Sequence, residues 1–247
     1  MKLKSTVISI LLSCNIYAAQ TVELAGDMNY QPYSYIEDGI AKGVYVDIIK
    51  EAFNKMPNYD LKLNMMAFKR AIQMTKQGKI IGFFPPYYGK SRTLWTKFSE
   101  PILAETIILF GKEKTLKENT NYPEDFYGKA VCLNRGFNQS LLGGEKFEQA
   151  IKSKKIQLIE GNDNKACLNR VNRGIADIYI NDQLIDTSIF PDIKKGMKIK
   201  GNFGHIGFTL KKDNYKYIDD FESTFNKTIK QMKKNGQIEK ILNKYKK

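Results

Sequence analysis

Apolar residues along the first 110 positions recur with periods that alternate between those of a strand and a helix. The pattern predicts strands at 22–24, 61–65, 79–84 and 106–110, and helices at 45–56 and 68–77. In the first helix, Val46, Ile49 and Phe53 fall on one face. Strands and helices that alternate in this way predict an α/β layer with a mostly parallel sheet.

The alternation restarts after a Lys/Asn-rich connection at 111–129. Here the pattern predicts strands at 130–133, 156–159, 178–180 and 208–210, with helices from Gly136 to 151 and at 164–172. Two amphipathic helices separated by Gly236 close the chain. A chain of 247 residues that is 42% hydrophobic can therefore form two α/β lobes of roughly 100 residues each.

The N-terminus is typical of a secretory signal peptide. Lys2 and Lys4 precede a short apolar run at 7–12, and Ala18 and Ala19 provide small residues for cleavage. We therefore expect residues 1–18 to be a signal peptide and the protein to be exported to the periplasm. The segment that ends at Cys14 also resembles a lipoprotein box, so lipid anchoring at Cys14 remains an alternative.

Cys132 and Cys167 are the cysteines that remain after cleavage. Thiols in an oxidising compartment commonly pair, which predicts a disulfide, and two buried free thiols are the alternative. The single histidine and the absence of closely spaced ligand residues predict no metal site, and no motif predicts a cofactor.

The formal charge of +14 raises the possibility of a nucleic-acid or membrane partner. Most of the charge, however, is lysine scattered along the chain and interleaved with acidic residues, as at 219–230. That pattern indicates a solvated surface, and we predict no nucleic-acid partner.

The segment GKIIGFFPPYYGKSRTLWTKFSEP, residues 78–101, places Arg92 in a polar turn between an apolar run and an aromatic one. An arginine fork matches a carboxylate and is costly to bury without one, so Arg92 is a candidate anion ligand. A solvated loop arginine is the alternative.

Three segments in order resemble the periplasmic solute-binding proteins of polar amino-acid ABC transporters. They are GDMNYQPYSYIEDGIAKGVYVDIIKEAF at 26–53, GKSRTLWTKFSEP at 89–101 and RGIADIYINDQLI at 173–185. The resemblance implies an α/β fold of two lobes, the type 2 periplasmic-binding fold, each a mostly parallel sheet flanked by helices. It assigns 19–110 and 206–247 to the first lobe and 111–205 to the second, with hinge crossings near 110–112 and 205–207.

The resemblance also implies roles for particular residues. Arg92 would hold the carboxylate of the ligand, and Asp182 would bind its α-amino group from the other lobe. Asp27 and Tyr30 would lie in the pocket, as would Asn138 at the start of a helix of the second lobe.

The chain departs from the family pattern close to Arg92. Gly89, Pro85 and Tyr87 stand where the family usually has hydroxyl residues. Fewer hydroxyl donors and more rings predict a flatter, aromatic pocket, to which we assign Tyr33, Phe84 and Tyr87 as further ligand-binding residues.

The resemblance implies a monomeric protein without enzymatic activity that delivers a small polar solute, an amino acid or a related carboxylate, to an ABC permease at the inner membrane. A periplasmic enzyme similar to cyclohexadienyl or arogenate dehydratase is the alternative. His205 lies where the family has a hinge crossing, which predicts a structural role. A basic surface-interaction protein is a third possibility, which rests on charge alone.

Overall fold

The computed structural model describes residues 18–117 and 121–246. Apart from Ala18, the predicted signal peptide lies outside the described residues, and so does Cys14. In those two stretches, no helix has both the length and the hydrophobicity that a membrane span requires.

The chain forms thirteen strands, two short 3-10 helices and eight α-helices within the described residues. The strands are β1 (Gln20–Asp27), β2 (Asn29–Tyr30), β3 (Ser34–Glu37), β4 (Ile40–Lys42), β5 (Tyr59–Met66), β6 (Gly82–Phe84), β7 (Thr96–Phe98), β8 (Leu103–Lys112), β9 (Ala130–Asn134), β10 (Gln157–Gly161), β11 (Ile178–Asp182), β12 (Ile193–Gly204) and β13 (Gly207–Thr209). The helices are α1 (Val44–Phe53), α2 (Phe68–Lys76), α3 (Glu113–Lys117), α4 (Gln139–Gly143), α5 (Glu145–Lys152), α6 (Asn164–Asn172), α7 (Ile218–Lys234) and α8 (Gln237–Asn243).

The first lobe is built on a five-stranded sheet in the order β5-β1-β6-β13-β7. β1 runs parallel to β5 and β6, and β13 is antiparallel to β6 and β7. Helix α7, the last but one in the chain, returns to this sheet because its apolar face packs on it. Phe221 of α7 contacts Phe53, Tyr59 and Phe208, with ring centroids 5.5, 5.1 and 5.9 Å away.

The second lobe is built on a five-stranded sheet in the order β10-β9-β11-β8-β12. β9 is parallel to β10 and β11, whereas β8 is antiparallel to both β11 and β12. A separate three-stranded sheet, β2-β3-β4, lies in the first lobe before α1. The predicted class is confirmed: the fold is mixed α/β, with two sheets flanked by helices.

Most predicted elements lie close to their observed positions. The predicted helix at 164–172 coincides with α6, and Gly236 separates α7 from α8. The helix predicted from Gly136 to 151 is instead two helices, α4 and α5, because Gly144 between them adopts a φ of 87°. The observed elements absent from the sequence predictions include the β2-β3-β4 sheet, β7, the short helix α3 and the long strand β12.

The first crossing between the lobes differs from the one expected near 110–112. The strand that we assigned to the first lobe at 106–110 is the middle of β8, which lies entirely in the second sheet. The boundary expected after residue 110 therefore falls inside a strand. We propose instead that 19–102 and 205–247 form the first lobe and that 103–204 form the second.

A disulfide joins Cys132 of β9 to Cys167 of α6, as predicted. Both cysteines are buried in the second lobe, where the bond ties a central strand to the helix that covers it. The two cysteines are 35 residues apart in sequence. A cross-link that closes a loop of this length restricts the unfolded chain.

We predict that denatured protein starting at residue 19 has no free thiol in the absence of reductant. Replacing Cys132 and Cys167 together with alanine should lower the free energy of unfolding by about 2–4 kcal/mol, because the unfolded chain regains its entropy. Thiol titration and denaturant unfolding measure the two effects. Two titratable thiols per chain would contradict the bond.

Candidate functional site

The chain crosses between the two sheets twice, at 99–102 and 204–206, and the two crossings lie side by side. The Ser99 amide donates to the Ile206 carbonyl (2.9 Å), and the Ile102 amide donates to the Gly204 carbonyl (2.8 Å). His205 lies in the second crossing, where its amide donates to Pro86 O and its Nδ1 is 2.8 Å from Ser99 O. The two crossings therefore form one hydrogen-bonded connection between the sheets.

Arg92 projects from the turn between β6 and β7 and is buried, with 7% of its surface exposed. Its Nη1 donates to the carbonyl of Tyr87 (3.1 Å), and its guanidinium lies 5.8 Å from the centroid of the Phe68 ring. Among the described residues, Arg92 has no acidic partner within ion-pair distance. Burial consequently lowers its pKa to about 10, and several guanidinium N–H donors remain for a ligand.

A small cavity of about 20 Å³ lies beside Arg92, between the lobes. Its lining combines residues of the first lobe with residues of the second: Tyr30, Phe68, Pro85, Tyr87 and Arg92 with Phe137, Asn138, Leu141 and Leu142. This volume holds about one water molecule and is far below the roughly 300–1,000 Å³ of ligand sites. A solute at Arg92 would therefore need the two lobes to move apart.

Asp182 ends β11 and is fully buried at the same boundary. Its Oδ1 accepts hydrogen bonds from the Tyr33 hydroxyl and the Leu184 amide (2.7 Å), and its Oδ2 accepts one from the Thr106 amide (2.7 Å). Burial raises the pKa of Asp182 to about 6, and these hydrogen bonds limit the rise. Asp182 is therefore bonded to the protein itself.

Glu105 of β8 is a buried carboxyl that the sequence analysis missed. Its Oε2 accepts hydrogen bonds from the hydroxyls of Tyr30 and Tyr87, both at 2.6 Å, and its Oε1 accepts one from Tyr45. Burial, and then the nearby Asp182, raise the pKa of Glu105 to about 8, while the three hydroxyls act in the opposite direction. One signal was present in the sequence: Glu105 is the only charged residue in the apolar run LAETIILF.

These groups form one unit that we call the tyrosine–carboxylate cluster. Its members are Tyr30, Tyr33, Tyr45 and Tyr87 from the first lobe and Glu105 and Asp182 from the second. The rings of Tyr30 and Tyr33 stack with centroids 4.8 Å apart. Gly204 permits the close approach of Tyr45, since a Cβ there would lie 1.7 Å from the Tyr45 hydroxyl.

The other predicted site residues lie in different surroundings. Asp27 lines a separate pocket with Lys69 and Arg135, and Phe68 and Phe137 line both this pocket and the Arg92 cavity. Burial raises the pKa of Asp27 to about 7, although the Asn29 amide donates to it.

Asn138 caps α4 at the cavity wall, and its Oδ1 accepts from the Leu141 amide (2.9 Å). Phe84 is fully buried in the core, and it does not appear in the lining of the Arg92 cavity among the described residues. The cavity rings Phe68 and Phe137 were not predicted, because each lies in a segment whose apolar residues also fit a core.

Asn134, Asn164, Asn181 and Tyr179 form a second buried polar network behind the cluster. Tyr179 donates to Asn164 Oδ1 (2.8 Å), which also accepts from Asn134 Nδ2 (2.8 Å). Asn164 Nδ2 in turn donates to the carbonyl of Gln31 in the first lobe. This network adds a further hydrogen bond between the lobes. No sequence pattern predicted it, because Asn134 and Asn164 are 30 positions apart and Asn164 is 15 positions from Tyr179.

Two α/β sheets joined by adjacent crossings, with a cavity between them, define the type 2 periplasmic-binding fold. Residues 22–247 match the profile of the bacterial extracellular solute-binding proteins, family 3. The chain belongs to this family. A comparison with curated proteins finds no match.

Solved structures of similar shape support the fold. A structure from work on glutathione import via GshT and the cystine ABC importer TcyBC of Streptococcus mutans has a TM-score of 0.77 at 20% identity, covering 92% of this chain and 95% of the other. An ancestral arginine-binding protein bound to arginine has a TM-score of 0.75 at 17% identity, covering 93% and 99%.

The ancestral amino acid-binding protein AncCDT-1, a precursor of cyclohexadienyl dehydratase, has a TM-score of 0.74 at 18% identity, covering 92% and 96%. At these identities the similarity establishes the fold, and the ligand has to be argued from the site.

The raised pKa of Glu105 predicts how stability depends on pH. Between about pH 4.5 and 8, Glu105 keeps its proton in the folded protein but loses it in the unfolded chain. The stabilisation that is present at low pH is therefore lost as the pH rises through this window. The free energy of unfolding should therefore fall by up to about 1.4 kcal/mol per pH unit for this carboxyl.

Denaturant unfolding at several pH values would measure this slope. Glu105→Gln should make it shallower, because the amide keeps the shape but does not titrate, and Glu145→Gln on the exposed start of α5 should leave it unchanged. An identical slope in wild type and Glu105→Gln would contradict the assignment.

Proposed function

We propose that the protein is exported to the periplasm as a monomer, where it captures a small carboxylate-bearing solute between its lobes and delivers it to an ABC permease at the inner membrane. The observation that carries the proposal is Arg92, a buried cation without an acidic partner that lines a cavity between the two lobes. Such a group favours an anion of matching size, because burial strengthens the pairing and the planar fork can form two parallel hydrogen bonds. An amino acid or a related carboxylate would carry such an anion, and the lobes would have to separate to admit it, because the cavity holds only about 20 Å³.

The family and the similar structures support this proposal. Amino-acid binding is named for the ancestral arginine-binding protein and for AncCDT-1, and an ABC importer is named with the Streptococcus mutans structure. Amino acids share a carboxylate, which is the group that Arg92 would bind. Asp182 would then be the candidate partner for an amino group, if the ligand has one.

An enzyme on the same scaffold is the second candidate, and one observation favours it. Glu105 is a buried acid whose pKa is raised to about 8, the kind of group that general acid catalysis uses. Against this, its hydrogen bonds go to three tyrosines, and Glu105 is not part of the cavity lining among the described residues. Incubation with prephenate and arogenate, followed by product analysis, would separate the candidates, since a binding protein leaves both unchanged.

We predict that Arg92→Ala nearly abolishes ligand binding while the protein stays folded. Removing one partner of a desolvated charge pair costs about 2–5 kcal/mol, roughly thirtyfold to several thousandfold in affinity. Arg92→Lys should recover only part of the loss, because an ammonium lacks the planar fork.

The ligand would first be found by thermal-shift screening of amino acids, carboxylates, polyamines and sugars, since a ligand at about a hundred times its Kd adds about 2.7 kcal/mol of stability. Calorimetry would then give Kd for wild type, both Arg92 variants and Arg70→Ala. Arg70 is an exposed arginine of α2 in the same lobe, so its loss should leave Kd unchanged. Wild-type affinity in Arg92→Ala would refute the role of Arg92.

A further inference from the structure

We propose that a groove between the lobes, separate from the Arg92 cavity, binds a small organic anion that carries an apolar group. This interlobe groove has a volume of about 760 Å³, which lies within the roughly 300–1,000 Å³ of ligand sites. Its walls come from segments 31–35 and 244–245 of the first lobe and from segments 164–168 and 184–189, together with Lys195, of the second. Among the described residues, none lines both the interlobe groove and the Arg92 cavity. The proposal therefore does not depend on the solute of that cavity.

Three lysines that are far apart in the sequence line the interlobe groove. Lys165 belongs to α6, Lys195 belongs to β12, and Lys244 follows the last residue of α8. The salt bridges formed among the described residues include none of the three. The Lys195 ammonium donates instead to the carbonyl of Gln183 (2.6 Å). Asp186 is the one acidic residue in the described lining, so the groove has a net positive charge, which favours an anion.

Hydrogen bonds hold the two walls of the interlobe groove together. Asn164 of the second lobe is buried, and its Nδ2 donates to the carbonyl of Gln31 in the first lobe (2.5 Å). Its Oδ1 accepts from the Tyr179 hydroxyl (2.8 Å). In the wall of the first lobe, the Tyr245 hydroxyl donates to Asp47 Oδ2 (2.7 Å). The groove is therefore preorganised in this arrangement of the lobes, which lowers the entropic cost of binding a ligand.

Apolar side chains form much of the remaining lining. Pro32 comes from the first lobe, and Leu168, Leu184, Ile185 and Ile189 come from the second. Leu168 and Ile185 are buried in the core, whereas Ile189 is 62% exposed. A ligand that covers Ile189 removes apolar surface from water, which is favourable. The combination of lysines and apolar residues thus favours an anion with an aryl or alkyl part over a simple inorganic anion.

Phenyl phosphate is a suitable probe because it joins a phosphate to an aromatic ring. Calorimetry on the wild-type protein would compare it with inorganic phosphate and with phenol. We expect phenyl phosphate to bind at least about tenfold more tightly than inorganic phosphate, and phenol not to bind. Equal affinities for the two phosphates, or no binding of phenyl phosphate at millimolar concentration, would overturn the proposal.

Lysine variants test where the probe binds. Replacing Lys165, Lys195 and Lys244 together with glutamine should weaken the binding of phenyl phosphate by about tenfold or more, because the groove loses its positive charge. Lys165→Gln and Lys244→Gln change opposite walls, and each alone should weaken binding by about twofold to fivefold, since both lobes contact the anion. Unchanged affinity in either single variant would contradict a site between the lobes.

The control is a triple variant with the same change in net charge. Lys79, Lys216 and Lys227 are exposed and lie outside the described lining of the groove, so replacing all three with glutamine should leave the affinity unchanged. Equal losses in the two triple variants would mean that net charge attracts the anion without a site, and the proposal would fail. Circular dichroism would show whether the variants are folded, and the wild-type comparison does not depend on them.

Arg92→Ala separates this site from the one in the proposed function. This variant should bind phenyl phosphate with wild-type affinity, because the Arg92 cavity of about 20 Å³ is too small for the ring. Loss of phenyl phosphate binding in Arg92→Ala would place the anion at Arg92. That result would overturn the second site and leave the proposed function intact.

Discussion

The hydrogen bonds between tyrosines of the first lobe and carboxyls of the second hold the space between the lobes in its present form. Burying a carboxyl is costly unless donors satisfy its oxygens, so Glu105 and Asp182 are compatible with this interface only because four hydroxyls and two backbone amides reach them. The backbone adapts to this requirement. Gly204 lies where any side chain would collide with the Tyr45 hydroxyl, so the contact between the lobes depends on that glycine.

The cluster also explains why Arg92 is the one charged side chain that lines its cavity among the described residues. Both candidate carboxylates are bonded to tyrosines, so neither neutralises the guanidinium, whose pKa falls because it is buried. A partly satisfied buried cation has a strong preference for an anion. The tyrosines thereby leave Arg92 as the charged group at this cavity, while their hydroxyls are bonded to Glu105 and Asp182.

Much of the fold was predictable because its elements carry clear periods. α6 was predicted at its observed bounds, since its ends are marked by polar and glycine residues and its apolar residues have helical spacing. The strand β12 was missed because it is an edge strand rich in lysine and glycine, whose residues are mostly exposed or half-buried. The first crossing was misplaced for a related reason: the Lys/Asn-rich segment after β8 looks like a linker, whereas the real crossing is short and lies before Leu103.

The site was less predictable than the fold, and Glu105 and Asp182 show why. Asp182 was found because it belongs to a motif, but its hydrogen bond to Tyr33 spans 149 positions and exists only when the lobes meet. Glu105 looks like the solvent-facing residue of a strand until Tyr30, Tyr45 and Tyr87 cover it. The same contacts bear on how such a protein responds to a solute. A ligand shifts an equilibrium between open and closed lobes only by its difference in affinity for the two states. Because the cluster bonds the two lobes to each other, a solute that binds between them would have to supply only the remaining difference.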